Sequence, residues 1–323
     1  MIIKASPESI SRAANHIRDG RLVAFPTETV YGLGANALDP KAVAGIFAMK
    51  QRPSFDPLIV HICRLDQLWE LVTSRDERII RLARHFWPGP LTLVLPKSQL
   101  VPDIVTSGLP DVAIRMPAND TALQLIEAAG VPLAAPSANR FGRLSPTRAQ
   151  HVEKQLPDLE IILDGGSCSI GLESSVVRLE PDGFRILRHG AVTSPMLTEI
   201  IPPSKLTTSL TLSDASPGLM LSHYSPETKL YILGQHPIPN DTSKAAYIGL
   251  TPSEIKGYHS VRFLSENGNL EEAAGNLFFF LHELEDKWLD FIVVEAVPET
   301  GLGIAIMDRL RKAAYRFHHS TNE

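Results

Sequence analysis

Cysteine is scarce. Cys63 and Cys168 are the only two in 323 residues, too few for a disulfide scaffold, and neither has partners at zinc-ligand spacing. No run reaches the ~18 apolar residues of a membrane-spanning helix, and the first twenty residues, MIIKASPESISRAANHIRDG, hold no continuous apolar signal core. A cytoplasmic protein that is not exported and makes no membrane contact is the expectation. An excess of positive charge is missing too. Lys plus Arg number 31 against 36 Asp plus Glu, a net charge of -5, whereas a broad nucleic-acid footprint is normally basic. No glycine loop closes on Lys-Ser or Lys-Thr, which excludes a P-loop. There is no acidic metal cluster, and no Ser-His-Asp or Cys-His set stands out for nucleophilic catalysis.

What is present is an ordinary globular composition, 44% hydrophobic and 21% charged. The length suggests two domains, since single cores seldom grow past ~250 residues. Residues 202–226, PPSKLTTSLTLSDASPGLMLSHYSP, are rich in Pro, Ser and Thr without a helical period, which marks a linker. Loops of that size are usually functional or connect domains. The expected organisation is a catalytic domain over 1–200, a linker or lid over 201–228 and a C-terminal domain over 229–323. Residues 1–190 hold 21 basic and 20 acidic residues, 16 of the basic ones arginine, a fork suited to phosphate and carboxylate. A solvated surface is the plain alternative.

Helical and strand patterns alternate. Ile10, Ala13, Ala14 and Ile17 make one stripe over 7–19, Asp39-Pro40 starts a second helix, and 78–86 reads as a third. Strand patterns fall at 22–25, 58–62, 91–95, 111–115, 131–135 and 161–163, with a pair at 175–179 and 184–188 around the turn Pro181-Asp182-Gly183. The C-terminal part repeats the alternation, with strands at 229–233, 246–250, 260–263 and 291–295 and helices at 270–284 and 303–315. The fold class is α/β: a mixed sheet followed by a smaller, largely parallel unit.

Several short motifs could carry chemistry. Gly32-Leu33-Gly34 fits a loose dinucleotide pattern, but Thr27-Glu28-Thr29 interrupts the approach and the helix starts late; a tight turn passing close to something is the better reading. Lys50 closes the second helix, where a cation complements the helix dipole, or it converges with Arg52 on one anion. His61, in an apolar strand, is either a satisfied core residue or an imidazole presented at the strand end. Arg115 ends a strand, where open α/β sheets bind ligands. Ser137 and Asn139 in Pro136-Ser137-Ala138-Asn139 form a turn or offer donors to a nucleotide. Gly171-Leu172-Glu173-Ser174-Ser175 could make an anion nest.

Taken in order, Pro26-Thr27-Glu28-Thr29-Val30-Tyr31-Gly32, Lys50-Gln51-Arg52-Pro53, Pro57-Leu58-Ile59-Val60-His61, Trp87-Pro88-Gly89-Pro90, Ala113-Ile114-Arg115-Met116-Pro117 and Pro136-Ser137-Ala138-Asn139 resemble the YrdC-like family of threonylcarbamoyl-adenylate synthases. Ser216-Pro217-Gly218, His223-Tyr224-Ser225-Pro226, Gly301-Leu302-Gly303 and Arg309-Leu310 resemble its longer, two-domain subtype. The resemblance implies a twisted open mixed sheet with a basic concave cavity, plus a smaller Rossmann-like C-terminal α/β domain. It implies that L-threonine, bicarbonate and ATP give threonylcarbamoyl-adenylate and pyrophosphate, with Mg²⁺ carried by the ATP. Downstream transfer proteins would then modify tRNA, which this chain meets only indirectly.

By the same resemblance Lys50, Arg52, Ser137 and Asn139 match nucleotide and catalytic positions. Asp56, Asp111, Ser145, Arg188 and Tyr224 match further ATP contacts, and Thr29, His61, Arg115 and Ser175 match positions around threonine. Asp56 stands where the family often has asparagine, so a cation must intervene between it and a triphosphate. Ser175 replaces a usual threonine, and Leu219-Met220-Leu221-Ser222 lacks the aromatic and basic residues often found there. The arginine content of 1–190 leaves a second reading, a non-catalytic module for double-stranded RNA or tRNA.

Overall fold

A computed structural model describes residues 1–206, 222–285 and 288–319. Ser216-Pro217-Gly218 and Leu219-Met220-Leu221 lie outside the described residues, as does most of the expected lid. Helix α1 (Pro7–Arg18) starts at a capping box between Ser6 and Ser9 and buries Ile10, Ala13, Ala14 and Ile17. Helix α2 (Pro40–Lys50) starts where the Asp39 carboxylate accepts from Lys41 N at 2.9 Å. It stops at Gln51, which takes a left-handed φ of 53°. Helices α3 (Leu65–Leu71), α4 (Glu77–Phe86), α5 (Asp103–Thr106), α6 (Asp120–Ala129), α7 (Ala149–Gln155) and α8 (Ser194–Thr198) follow in the first unit.

The first sheet has ten strands: β1 (Ile2–Lys4), β2 (Val23–Phe25), β3 (Gly32–Asn36), β4 (Ile59–His61), β5 (Leu91–Pro96), β6 (Asp111–Arg115), β7 (Leu133–Ala134), β8 (Ile161–Asp164), β9 (Ser175–Glu180) and β10 (Gly183–Arg188). Their order is β1-β8-β2-β3-β7-β4-β6-β5-β9-β10, with parallel and antiparallel pairs mixed. Strands β4 and β6 run parallel, so His61 and Arg115 are register partners at their carboxyl ends. The second sheet joins β11 (Lys229–Ile232), β12 (Ala245–Gly249), β13 (Ser260–Phe263) and β14 (Phe291–Val294) in the order β11-β14-β12-β13. All its pairs are parallel. Helices α9 (Leu270–Glu285) and α10 (Gly303–His318) pack on one face of it, and Ile238, Ile255 and Tyr258 pack on the other.

The two units share a core. Leu144, Leu172 and Tyr224 pack into the same buried cluster as Leu277, Phe278 and Leu310. Ser225 fastens the end of the linker to both: its N–H donates to Gly142 O at 2.8 Å and its hydroxyl to Ala313 O at 3.0 Å. The linker's first residues are also fixed, since Phe184 N donates to Pro202 O and Ser204 N to Phe184 O. Among the described residues no helix is long and apolar enough to cross a membrane.

One local expectation changes. Gly32-Leu33-Gly34 is strand β3, not a turn, and its glycines serve close packing. A Cβ on Gly34 would lie 2.7 Å from Phe25 Cε1, and one on Gly32 3.3 Å from Ala135 Cβ. Gly171 takes a left-handed φ of 74°, and its missing Cβ admits α9: a Cβ there would lie 2.7 Å from Ala274 O.

Gly34→Ala should destabilise the protein by about 1–3 kcal/mol through overpacking against the buried Phe25 ring. Urea denaturation of the variant measures it; an unchanged midpoint would contradict the packing role.

Candidate active site

One cavity opens where the carboxyl ends of β4 and β6 meet the segments that follow β2 and β7. Seven of the residues singled out from the sequence line it: Thr29, Arg52, His61, Arg115, Ser137, Arg188 and Tyr224. They form two groups. In the first, Thr27 accepts from the N–H groups of Thr29 and Val30 and so folds the turn that presents Thr29. Arg115 then donates through Nη1 to Thr29 Oγ1 at 2.8 Å and through Nε to Gly89 O at 3.2 Å. Its Nη2 lies 2.7 Å from Glu28 Oε1, with both side chains buried. His61 stands beside it, buried as a core residue would be and bordering the cavity as an imidazole at a strand end would. Burial, with Arg115 next to it, pushes the imidazole down to about 3, so it is neutral at pH 7.

In the second group Arg52 donates through Nε to Asp56 O and through Nη2 to Pro57 O, and Nη2 lies 2.9 Å from Asp56 Oδ1. Burial pushes the Asp56 carboxyl up, opposed by Arg52 and then Lys50. The guanidinium is therefore the cation that separates Asp56 from the cavity. Arg188 donates to the carbonyl and hydroxyl of Ser174 at 3.0 and 3.1 Å. Tyr224, at a left-handed φ of 60°, adds a buried phenol. Burial, then Glu173, pushes it up to about 12, so it is a neutral hydroxyl able to donate.

The other expected residues do not line the cavity. Lys50 is neither exposed nor a simple dipole partner. Its Nζ donates to Ser137 O and Asn139 O while its own carbonyl accepts from Phe141 N, so it straps the 137–141 segment in place. Burial, then Arg52, pushes its ammonium well below the ordinary value. Two of its three donors are engaged. Asn139 sits behind Ser137, its amide N–H groups bound to Arg140 O and Arg143 O. Ser145 donates to Glu173 Oε1. The Ser175 hydroxyl turns away to Val192 O at 2.6 Å, and Ser174 takes its place on the wall. Asp111 stands at the opposite end of β6 from Arg115, roughly 13 Å along the strand, where it pairs with Arg178 at 2.9 Å. Its position does not support the expected ATP contact.

Glu28, Glu173, His223 and Arg309 belong to the site although each stood only inside a longer motif, with no role of its own read from sequence; Arg309 is held by Glu173, 136 positions away. Around the cavity stand buried polar atoms with no hydrogen-bond partner among the described residues: Asp56 Oδ2, His61 Nδ1, Asn139 Oδ1, His223 Nδ1 and the Tyr224 hydroxyl. Such atoms are rare in native interiors, and their concentration in one place marks groups arranged for a ligand. Guanidiniums, hydroxyls and a neutral imidazole around one hollow suit an anionic, carboxylate- or phosphate-bearing ligand.

The Sua5–YciO–YrdC family model, described as telomere recombination, matches residues 15–190. The model of the threonylcarbamoyl-AMP synthase C-terminal domain matches residues 192–315. The threonylcarbamoyl-AMP synthase of Pyrococcus abyssi is 42% identical over 94% of this chain and 93% of its own. That of Bacillus subtilis is 41% identical over 97% and 94%. Among solved structures, P. abyssi Sua5 complexed with L-threonine superposes with a TM-score of 0.86 at 40% identity, covering 98% of this chain and 97% of its own.

Because the folded His61 refuses a proton that the unfolded chain accepts near pH 6.5, its share of stability is present above 6.5 and is lost as pH falls toward 3. The slope is at most about 1.4 kcal/mol per pH unit. His61→Gln should therefore lose less melting temperature between pH 7 and 4.5 than the parent does. Equal losses in both proteins would contradict the buried, neutral imidazole.

Proposed function

The chain belongs to the Sua5–YciO–YrdC family and carries the threonylcarbamoyl-AMP synthase C-terminal domain, and from that premise we propose that it makes threonylcarbamoyl-AMP. The reaction is L-threonine, bicarbonate and ATP to threonylcarbamoyl-AMP and pyrophosphate, which makes the enzyme a nucleotidyltransferase. The observation that carries this reading is the single cavity with two groups of donors: Arg115, Thr29 and His61 on one side, Arg52, Arg188 and Tyr224 on the other.

The threonine amine adds to CO₂ derived from bicarbonate and loses a proton to give a carbamate. A carbamate oxygen attacks the α-phosphorus of ATP, the bond to the β-phosphate oxygen breaks, and pyrophosphate leaves with the electron pair. Arg115 would grip the threonine carboxylate through the guanidinium that Thr29 and Glu28 orient. The neutral His61 would accept from the substrate or donate to it without adding charge. Arg52 and Arg188 would face the negative charge that builds on the phosphoryl oxygens and the leaving group, and the uncommitted donor of Lys50 would extend that set. Ser137 and the loop that Lys50 straps would position the nucleotide, and positioning matters because a free carbamate decays. Asp56 and Glu173, the carboxylates nearest the phosphate side, are bound to Arg52 and Arg309. The ATP phosphates would therefore supply the ligands of Mg²⁺, whose charge helps neutralise them. The product, a mixed anhydride, would pass to downstream transfer proteins that modify tRNA.

Pyrophosphate should appear only when threonine and bicarbonate are both present with ATP. Release indifferent to threonine would remove the assignment, and tight tRNA binding with a steep salt dependence and no turnover would favour the RNA-binding module instead. Arg52→Ala should lower kcat/KM by roughly 10- to 150-fold, about 1.5–3 kcal/mol; steady-state kinetics at an unchanged value would remove Arg52 from the site.

A further inference from the structure

The charges around the cavity nearly cancel. Arg52, Arg115 and Arg188 are matched in number by Asp56, Glu28 and Glu173, all six buried. A triphosphate needs a net positive field, and Lys50 is a weak source of it because burial works against its charge. A further buried cation comes from the other domain. Arg309 on α10 is fully buried. Its Nε donates to Glu173 Oε2 at 2.8 Å and its Nη2 to His189 O at 3.0 Å. The guanidinium lies 5.1 Å from the centre of the ring of Tyr224, a residue that lines the cavity and whose hydroxyl has no hydrogen-bond partner among the described residues. Its Nη1 reaches Asp308 at 2.7 Å, but Lys312 lies 2.9 Å from that carboxylate and offsets it.

Glu173 thus has both oxygens occupied, one by Ser145 and one by Arg309. Burial alone would push its carboxyl up; Arg309 and then Arg188 outweigh that and hold it below the usual range. Three wall elements meet at this one guanidinium: Glu173, the backbone next to Arg188, and Tyr224. We propose that Arg309 is a positioning residue through which the C-terminal domain neutralises Glu173 and seats Tyr224, leaving the nucleotide side of the cavity net positive. The reaction itself comes from the proposed function above, and the inference adds what the second domain does for it.

The test uses the full chain and three variants: Arg309→Met, Glu173→Gln and the double variant. KM for ATP and for threonine are read from pyrophosphate release, and melting temperature alongside. Arg309→Met should raise KM for ATP at least tenfold with KM for threonine within about twofold, since Glu173 then repels phosphate. Glu173→Gln removes a negative charge from the wall and should lower KM for ATP, and the double variant should recover to within about threefold of Glu173→Gln. A general structural role would shift both KM values together and would not be rescued by removing the acid. Equal rises in both KM values, or a double variant no better than Arg309→Met, would overturn the proposal. Should Arg309→Met fail to fold, a KM for ATP that does not fall in Glu173→Gln would overturn it by itself. If the unaltered protein releases no pyrophosphate, the proposed reaction fails, and calorimetric ATP binding to the same set decides the Arg309 inference separately.

Discussion

The site depends on burying guanidinium groups without cancelling them. Arg52, Arg115, Arg188 and Arg309 are all nearly inaccessible, and an unpaired charge in such surroundings is strongly unfavourable. Arg52, Arg115 and Arg309 each meet a carboxylate and a backbone carbonyl, and Arg188 donates to the carbonyl and hydroxyl of Ser174. These supports also fix each planar fork in one orientation, so that a ligand meets donors already aimed. The elements that converge here are distant in sequence, and the mixed ten-stranded sheet gathers them.

The second domain contributes to the same balance. Within residues 1–190 Glu173 meets Ser145 and the charge of Arg188, but no guanidinium is bonded to its second oxygen. Helix α10 supplies one and packs Tyr224 into a core shared with Leu277 and Phe278. The second domain is therefore continuous with the active site and not an appendage on a tether. The strict parallel order of its sheet serves this end by carrying α9 and α10 against the first domain.

Much of this was legible in local pattern. Arg115 is a charge ending an apolar strand, and strand ends are where such sheets bind ligands. Asp39-Pro40 opens α2 as an N-cap followed by proline should, and the stripe Ile10, Ala13, Ala14, Ile17 is buried as read. Pairings between remote segments were not legible. Nothing near Arg309 announces Glu173, and Glu28 reads as an ordinary acid until Arg115 is folded against it. Glycine was ambiguous for a physical reason. Gly32 and Gly34 could signal a free φ or a missing Cβ, and only the ring of Phe25 decides for the second. Ser174 and Ser175 are adjacent hydroxyls where the chain enters β9, and one meets the cavity while the other donates to Val192 O.

The claim beneath all of this is that one hollow holds an amino acid and a nucleotide side by side. The most direct measurement is a crystal structure of the full chain with L-threonine and a non-hydrolysable ATP analogue. The account requires the threonine carboxylate on Arg115 beside Thr29 and His61, with the phosphates on Arg52 and Arg188 and the phenol of Tyr224 in contact with the nucleotide. A nucleotide bound at any other surface, with Arg52 and Arg188 still facing only their protein partners, would contradict it.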